Sequence, residues 1–444
     1  MLSTSPNAFA KVWRLSWPII LSNITVPLLG LVDTAVVGHL SDARYLAAVT
    51  LGATLFSFLF WGFGFLRMGT TGLTSQAVGR EDSSAVRHLI GQSLLMALGI
   101  GLALIAFSTP LIEFGLWLLQ GSSDTQALAA SYAHIRILSA PAVLANYAII
   151  GWFLGQQNSR VTLLLMVTSN TINIVLDLWF VLGFGLKSDG VATATVIADY
   201  SACTLGLLLV ARQLASVGGH WQPERLFRWR AYGELFRVNH HLFVRTLCLL
   251  FAMAFFTAQG ARMDTVTLAA NAVLMQLVMM TSYGLDGFAN AAEALTGKAV
   301  GANDWQAFGR DVRACTLFSL LTAVTASLAF LGFGNELIGL LTDIDEVRGY
   351  AATYLPWVVV LPIVAVWSYL LDGIFIGAIQ TRAMRDTMVM SLAIYLLCWL
   401  MTRPLDNAGL WLSFTMFMLV RSASLGLVYQ RKRRTQWCRS SSSS

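Results

Sequence analysis

Residues 17–40 read WPIILSNITVPLLGLVDTAVVGHL. The stretch is long enough to cross a bilayer and almost wholly apolar, so it reads as a transmembrane helix. It carries two prolines, Pro18 and Pro27, and a single acid, Asp33. An ionisable group in that setting is costly, faces a protein interior or a water-filled cavity, and is often functional. Two readings of Asp33 stay open from these residues. One is a proton or cation site. The other is a structural carboxylate paired near the span end, since Asp33 is closer to Leu40 than to Trp17. No small-residue cleavage site follows and similar stretches come after, so this is read as a retained span and not a signal peptide.

The rest of the chain repeats the pattern. Of 444 residues, 56% are hydrophobic and only 12% charged, roughly half the charge of a soluble domain. Mean hydropathy is +0.66. Twelve apolar spans fit, near 14–38, 46–78, 89–112, 131–156, 162–184, 190–213, 241–262, 268–297, 314–334, 350–378, 386–402 and 407–429. None alternates as a barrel strand does, and helices satisfy their own backbone in lipid. The expected fold is therefore an all-alpha polytopic membrane protein with twelve transmembrane helices. Several spans exceed about 20 residues, so tilt or kinks are expected.

Charge placement orients the spans. With the amino terminus cytoplasmic, 20 Lys and Arg residues fall in inside segments, and only Arg44, Arg136, Lys187, Arg262, Arg348 and Arg403 fall outside. That bias puts both termini in the cytoplasm and suits a bacterial cytoplasmic (inner) membrane. It also accounts for the net charge of +6 without any nucleic-acid partner. Of five cysteines, four lie in or at the end of spans and none forms a CxxC pair, so neither a disulfide nor a metal cluster is expected. No cofactor is implied. The chain is read as a monomer in the lipid bilayer.

Residues 214–240 form the longest hydrophilic connection. A short amphipathic surface helix is expected there, with Trp221, Leu226, Phe227 and Trp229 on its apolar side. On either side the halves resemble each other. LAAVTLGA at Leu46 answers LAANAVLM at Leu268, LTSQAVGRED at Leu73 answers LTGKAVGAND at Leu295, and GWFLGQQNSR at Gly151 answers GIFIGAIQTR at Gly373, always 222 residues apart. The offset crosses six spans, so equivalent spans keep their direction and the repeat is parallel. The expected organisation is a six-helix lobe over 1–213, a cytoplasmic linker over 214–240, a second six-helix lobe over 241–430 and a cytoplasmic tail over 431–444. Two such bundles suit alternating access around a cleft.

Other polar groups lie at span depth. Arg67 sits in FWGFGFLRMGTTGLTSQ and needs a partner, for which Asp286 and Asp372 are candidates, or a snorkelling path to water. Arg245 and Arg421 lie nearer the inner face and read as snorkelling residues. Asp286 and Glu293 are seven residues apart, so they share a helix face approximately. With Asp372 they can line a substrate cleft or balance Arg67. Phe60, Phe63, Tyr283 and Phe288 are aromatic candidates for that cleft, although such residues are more often core. Pro27 lies six residues before Asp33 and is a candidate hinge, with a fixed packing kink as the alternative.

The stretches PLLGLVDTAVVGHL, FLRMGTTGLTSQAVG, NAVLMQLVMMTSYGLDGFANAAEALTGKAVG and SYLLDGIFIGAI closely resemble the multidrug and toxic compound extrusion (MATE) family, specifically its DinF branch. The resemblance runs over about residues 10 to 430. It implies two six-helix lobes and cation-driven antiport of small organic, often cationic or amphipathic, compounds. It matches the family's first-helix aspartate to Asp33, and the polar positions of the fifth and sixth helices to Asn173, Asp177 and Thr195. The seventh span lacks the acid that the NorM branch carries there, which favours a proton site in the amino lobe.

The expected function is thus a secondary antiporter, most simply proton-coupled. A sodium-coupled exporter is an alternative, because the Asp, Asn, Asp and Thr set is all oxygen-bearing. A flippase for lipid or polyprenyl-linked substrates is a further alternative, opposed by the several acids at depth. No GxxxxGK[ST] or HExxH motif exists, so neither an ATP-driven pump nor an intramembrane enzyme is indicated.

Overall fold

The computed structural model describes residues 6–38, 43–119, 123–222, 224, 226 and 229–435. Among these every regular element is helical. The main helices are α1 (Pro6–Gly38), α2 (Ala43–Gly62), α3 (Phe65–Gly79), α4 (Ser83–Ala106), α5 (Ser108–Leu119), α6 (Ser123–Arg136), α7 (Ala140–Gly155), α8 (Ser159–Asp177) and α9 (Lys187–Val217). They continue as α10 (Gly233–Met263), α11 (Thr265–Gly301), α12 (Trp305–Leu341), α13 (Asp345–Gly377), α14 (Thr381–Thr402) and α15 (Asp406–Thr435). Ten helical stretches among the described residues are long and apolar enough to cross a membrane, and the last of them, Thr381–Arg433, contains α14 and all but the end of α15. This is a multi-pass membrane protein.

Three expected spans are broken. The 46–78 span divides at Phe63 and Gly64, the 89–112 span at Phe107, and the 131–156 span at a 3₁₀ turn over Ile137–Ser139. The residues at each break are themselves largely apolar, so hydropathy runs through them unbroken. Pro141 falls in the first turn of α7, where its missing donor costs nothing. Pro356 and Pro362 lie inside α13, which continues through them. Helix α1 likewise continues through Pro18 and Pro27.

The chain divides into two compact units, one spanning Leu21–Asn239 and the other joining residues up to Ile20 with those from His240 onward. Helix α1 is thus shared between them. The first unit buries Phe56, Phe60, Ile112, Tyr132, Val181 and Val191 in one core. The second buries Leu274, Leu277, Val358, Tyr395, Trp411 and Phe414 in another.

The internal repeat is visible atom by atom. A Cβ on Gly151 would lie 2.4 Å from the Arg67 carbonyl oxygen, and one on Gly373 would lie 2.1 Å from that of Ala289, the residue 222 positions on from Arg67. One turn later Gly155 and Gly377 meet Thr74 and Thr296, again repeat equivalents, at 2.6 and 2.4 Å. These close approaches put α3 against α7 and the end of α11 against the end of α13. The tight turns match as well. Glu81 and Asn303 take positive φ (58° and 55°), as do Gln157 and Ile379 (63° and 52°). Asp82 and Asp304 then cap the next helix through the amides of Ala85 (2.9 Å) and Ala307 (2.8 Å). Only the last span shifts register. Lys187 and Asp406, both with positive φ, open α9 and α15 at an offset of 219.

In the hydrophilic connection the described residues Glu224 and Leu226 are helical and Trp229–Tyr232 form a 3₁₀ turn, whereas Trp221 precedes the helical part. Residues 218–222 are non-helical and strap the end of α9 to the start of α4. Arg87 donates to the carbonyls of Leu214 (2.6 Å) and Gly218 (2.7 Å), and the Gln222 amide donates to His88 Nε2 at 2.8 Å. The Trp221 ring packs edge-on to His88 and beside Gly91. Phe227 lies outside the described residues.

Because each glycine faces a backbone carbonyl, which cannot rotate away, Gly373→Ala must push α13 from α11. We expect a loss of about 1–3 kcal/mol, read as a lower midpoint in thermal unfolding of the detergent-solubilised protein. Substitution at Gly349, where nothing lies within 4 Å, is expected to leave that midpoint unchanged.

Candidate functional site

Helix α8 presents Asn173 and Asp177 one turn apart, both buried at 1% and 0% exposure. Helix α9 places Thr195 opposite them. One end of the Asn173 amide lies 3.0 Å from Asp177 Oδ2 and the other 3.0 Å from Thr195 Oγ1. The Thr195 hydroxyl also donates to the Val191 carbonyl at 2.8 Å. Directly after Asp177 the helix widens into a π-helical turn, Leu178–Gly183; such turns are rare and frequently accompany functional sites. Asp33 lies on α1, and its side chain is outside the described residues. The same helix is tied to α8 lower down, where Asn170 donates to Thr25 Oγ1 at 2.9 Å.

The second unit carries a different polar cluster. Arg245 from α10 and Arg421 from α15 both donate to the same oxygen of Asp372 on α13. All three are buried, at 6%, 2% and 7% exposure. The two arginines therefore do not snorkel, and Asp372 is held between them as a carboxylate. The Arg421 guanidinium also lies over the Tyr369 ring, whose hydroxyl meets Ser282 at 2.6 Å. Asp286 acts electrostatically on both Tyr283 and Tyr369, so it borders this cluster. Glu293 is almost fully buried on the same helix, α11.

A third cluster lies in the first unit. Arg136 pairs with Asp199 at 2.8 Å, and Asn146 donates to the Asp199 carbonyl at 3.2 Å. The Arg136 guanidinium lies over the rings of Phe56 and Phe60, at 5.8 and 5.2 Å. Tyr147 feels the charges of Asp199, Arg67 and Arg136. Arg67 is half-buried on α3.

The sequence candidates thus divide. Asn173, Asp177 and Thr195 are brought together. Phe60 is core and a cation–π platform, Phe63 packs at the α2–α3 break with its ring 5.9 Å from Phe65, and Phe288 stacks on Phe318 at 5.4 Å inside the second unit. Tyr283 and Asp286 are half-buried. Among the described residues no group of His, Cys, Asp and Glu is arranged to hold a metal.

Comparison with known proteins follows the duplicated architecture. The MatE family model matches twice, over residues 18–179 and 242–405. The chain belongs to the MatE family. The MATE chain is 43% identical over 421 residues to DNA damage-inducible protein F of Escherichia coli, covering 95% of this chain and 92% of that protein. It is 21% identical to the multidrug export protein MepA of Staphylococcus aureus, covering 84% of this chain and 81% of that one. Its fold superposes with a TM-score of 0.88 on a multidrug resistance MATE family transporter solved in an outward-facing conformation, at 18% identity and 97% coverage of both chains. Members of this MATE family are transporters, and the chain is a transporter rather than an enzyme.

Sequence reading passed over Asp199, counted Arg136 only among the outside charges, and missed the Arg245–Asp372–Arg421 triad. The available signal was five charged residues, Arg136, Asp199, Arg245, Asp372 and Arg421, falling inside helical spans at spacings too wide for any local motif. For the triad, Asp372→Asn would leave two buried guanidiniums without their carboxylate. We expect a loss of about 3–5 kcal/mol, seen as a collapse of the monodisperse peak in detergent chromatography. Arg348→Gln, which removes only half-exposed bonds to Asp343, Asp345 and the carbonyls of Gly339 and Thr342 at a helix end, is expected to leave the peak intact.

Proposed function

We infer that this MATE transporter is a proton-coupled antiporter of the bacterial cytoplasmic membrane, with both termini inside. It exports small organic, often cationic or amphipathic, compounds by alternating access. Asp33 is the main protonation site, and Asn173, Asp177 and Thr195 complete it.

The observation that carries this reading is the two-ended position of Asn173. An ionised Asp177 takes the NH₂ end of the amide, leaving the amide oxygen to accept from Thr195. A protonated Asp177 instead donates to the amide oxygen. The NH₂ end then turns to Thr195 Oγ1, whose own proton goes to the Val191 carbonyl. Either orientation fits the distances of 3.0 Å. A buried carboxyl whose amide and hydroxyl neighbours are satisfied in both charge states can exchange its proton without leaving those neighbours unpaired.

Two features support Asp33 as a member of the site. From the Thr25–Asn170 bond, Asp33 is eight residues further along α1 and Asp177 seven further along α8. Both helices follow an even number of chain reversals and run the same way, so each acid lies about 11–12 Å beyond the bond. The repeat supports the same placement. Position 33 corresponds to Phe255, and positions 173 and 177 to Tyr395 and Trp399. In the second unit Phe255 packs on both, with ring centroids 5.5 and 6.4 Å away. Position 195, at the shifted offset, corresponds to Phe414, which lies 6.4 Å from Tyr395.

Multidrug export comes from MepA and from the multidrug resistance transporter whose fold matches. A flippase for anionic lipid-linked substrates is disfavoured because Asp372 already engages Arg245 and Arg421. Sodium coupling is the competing mechanism, and the experiment separates it. Export of a fluorescent lipophilic cation is followed in proteoliposomes under a pH gradient and, separately, a sodium gradient. Export is expected under the pH gradient alone, and Asp33→Asn and Asp177→Asn are expected to fall to the leak rate. Export driven by sodium alone, or Asp33→Asn exporting at the original rate, would overturn the reading.

A further inference from the structure

Six basic residues lie at the outer ends of the spans, against 20 at the inner ends. Four of the six are already engaged. Arg44 meets Asp124 at 3.6 Å, Arg136 meets Asp199 at 2.8 Å, Lys187 donates to the Tyr45 hydroxyl at 2.7 Å, and Arg348 meets Asp343 at 2.8 Å. Arg262 and Arg403 make no ion pair among the described residues. Both line one cavity of about 570 Å³ in the second unit.

That cavity lies where α10 and α14 end and α15 begins. Its floor is apolar and aromatic, from Phe255, Leu396 and Trp399, and Gln259 adds an amide at the rim. Asp406 also lines it, so the fixed charge is two positive against one negative. Below the rim, α14 turns a bare apolar face outward. Leu397, Leu400 and Met401 are 59%, 65% and 83% exposed, and their spacing of three and four residues puts them on one side of the helix. A cationic rim above an apolar floor, opening beside a lipid-facing stripe, has the complementarity of an amphiphile with an anionic head.

We propose that this cavity holds the headgroup of an anionic phospholipid, its phosphate taken by Arg262 and Arg403 and its acyl chains laid along Leu397, Leu400 and Met401. Basic pockets between membrane helices bind anionic headgroups by this combination of charge and apolar contact. The site is independent of the proton-coupling reading, since none of its residues belongs to the Asn173 cluster. It gives the unpaired arginines a counter-ion in a leaflet that the charge bias otherwise leaves poor in basic groups.

The test uses the full-length protein, delipidated in detergent, titrated with phosphatidylglycerol or phosphatidylcholine of identical chains, with bound lipid counted by native mass spectrometry. Phosphatidylglycerol is expected to fill its first site at a concentration lower by about fivefold, the effect of one net positive charge near a membrane surface. The double variant Arg262→Gln/Arg403→Gln is expected to lose that preference, and Arg348→Gln to keep it. Asp406→Asn, which removes the opposing charge, is expected to sharpen it. Equal binding of the two lipids, or a preference that survives in the double variant, would overturn the proposal. Displacement of the bound lipid by glycerol phosphate alone would overturn the assignment to a lipid.

Discussion

A carboxyl group among apolar helices must be matched by a cation or must hold a proton. Asp372 in one unit and Asp177 in the other meet that constraint in opposite ways. Asp372 has two buried guanidiniums bonded to a single oxygen, a setting in which the carboxylate stays ionised. Asp177 is bonded instead to a neutral amide whose far end rests on a hydroxyl. The first arrangement resists any change of charge. The second accommodates one, because an amide offers a donor at one end and an acceptor at the other. This contrast suits a fixed charge at the triad and supports the proposal that the Asn173 cluster exchanges a proton.

Duplication explains how one fold came to hold both. The glycine contacts, the positive-φ turns and the aspartate caps recur in each unit, so the backbone scaffold was kept. The positions that it presents were not. Where the first unit carries Asp33, Asn173, Asp177 and Thr195, the second carries Phe255, Tyr395, Trp399 and Phe414. Those aromatic rings pack edge to face and fill the equivalent space with apolar surface. An acid introduced there would have aromatic rings in place of an amide and a hydroxyl as neighbours.

Much of the architecture was legible in the sequence because membrane helices are written in composition. The 56% apolar content, the charge bias and the 222-residue offset each reflect a local property of the chain. The breaks at Phe63 and Phe107 were not legible, since an apolar residue at a turn looks like one in a helix. The same limit applied to the charged pairs. Arg136 and Asp199 are 63 residues apart, and Arg245 and Asp372 are 127 apart, so only the packed fold joins them. Asn173 and Asp177 were within reach because four residues make one helical turn. The non-helical strap at 218–222 was not legible, since its one large apolar residue, Trp221, reads alike in a surface helix and in a loop packed on His88 and Gly91.

The central claim is that substrate and proton compete through the carboxyls of the first unit. It is tested most directly by the proton balance of binding. Purified protein in weakly buffered detergent solution is mixed with an exported organic cation while the pH is followed. The account predicts proton release on binding, diminished in Asp33→Asn and not restored there by adding sodium. Binding without any change in proton content, or proton release that is undiminished in Asp33→Asn, would contradict it.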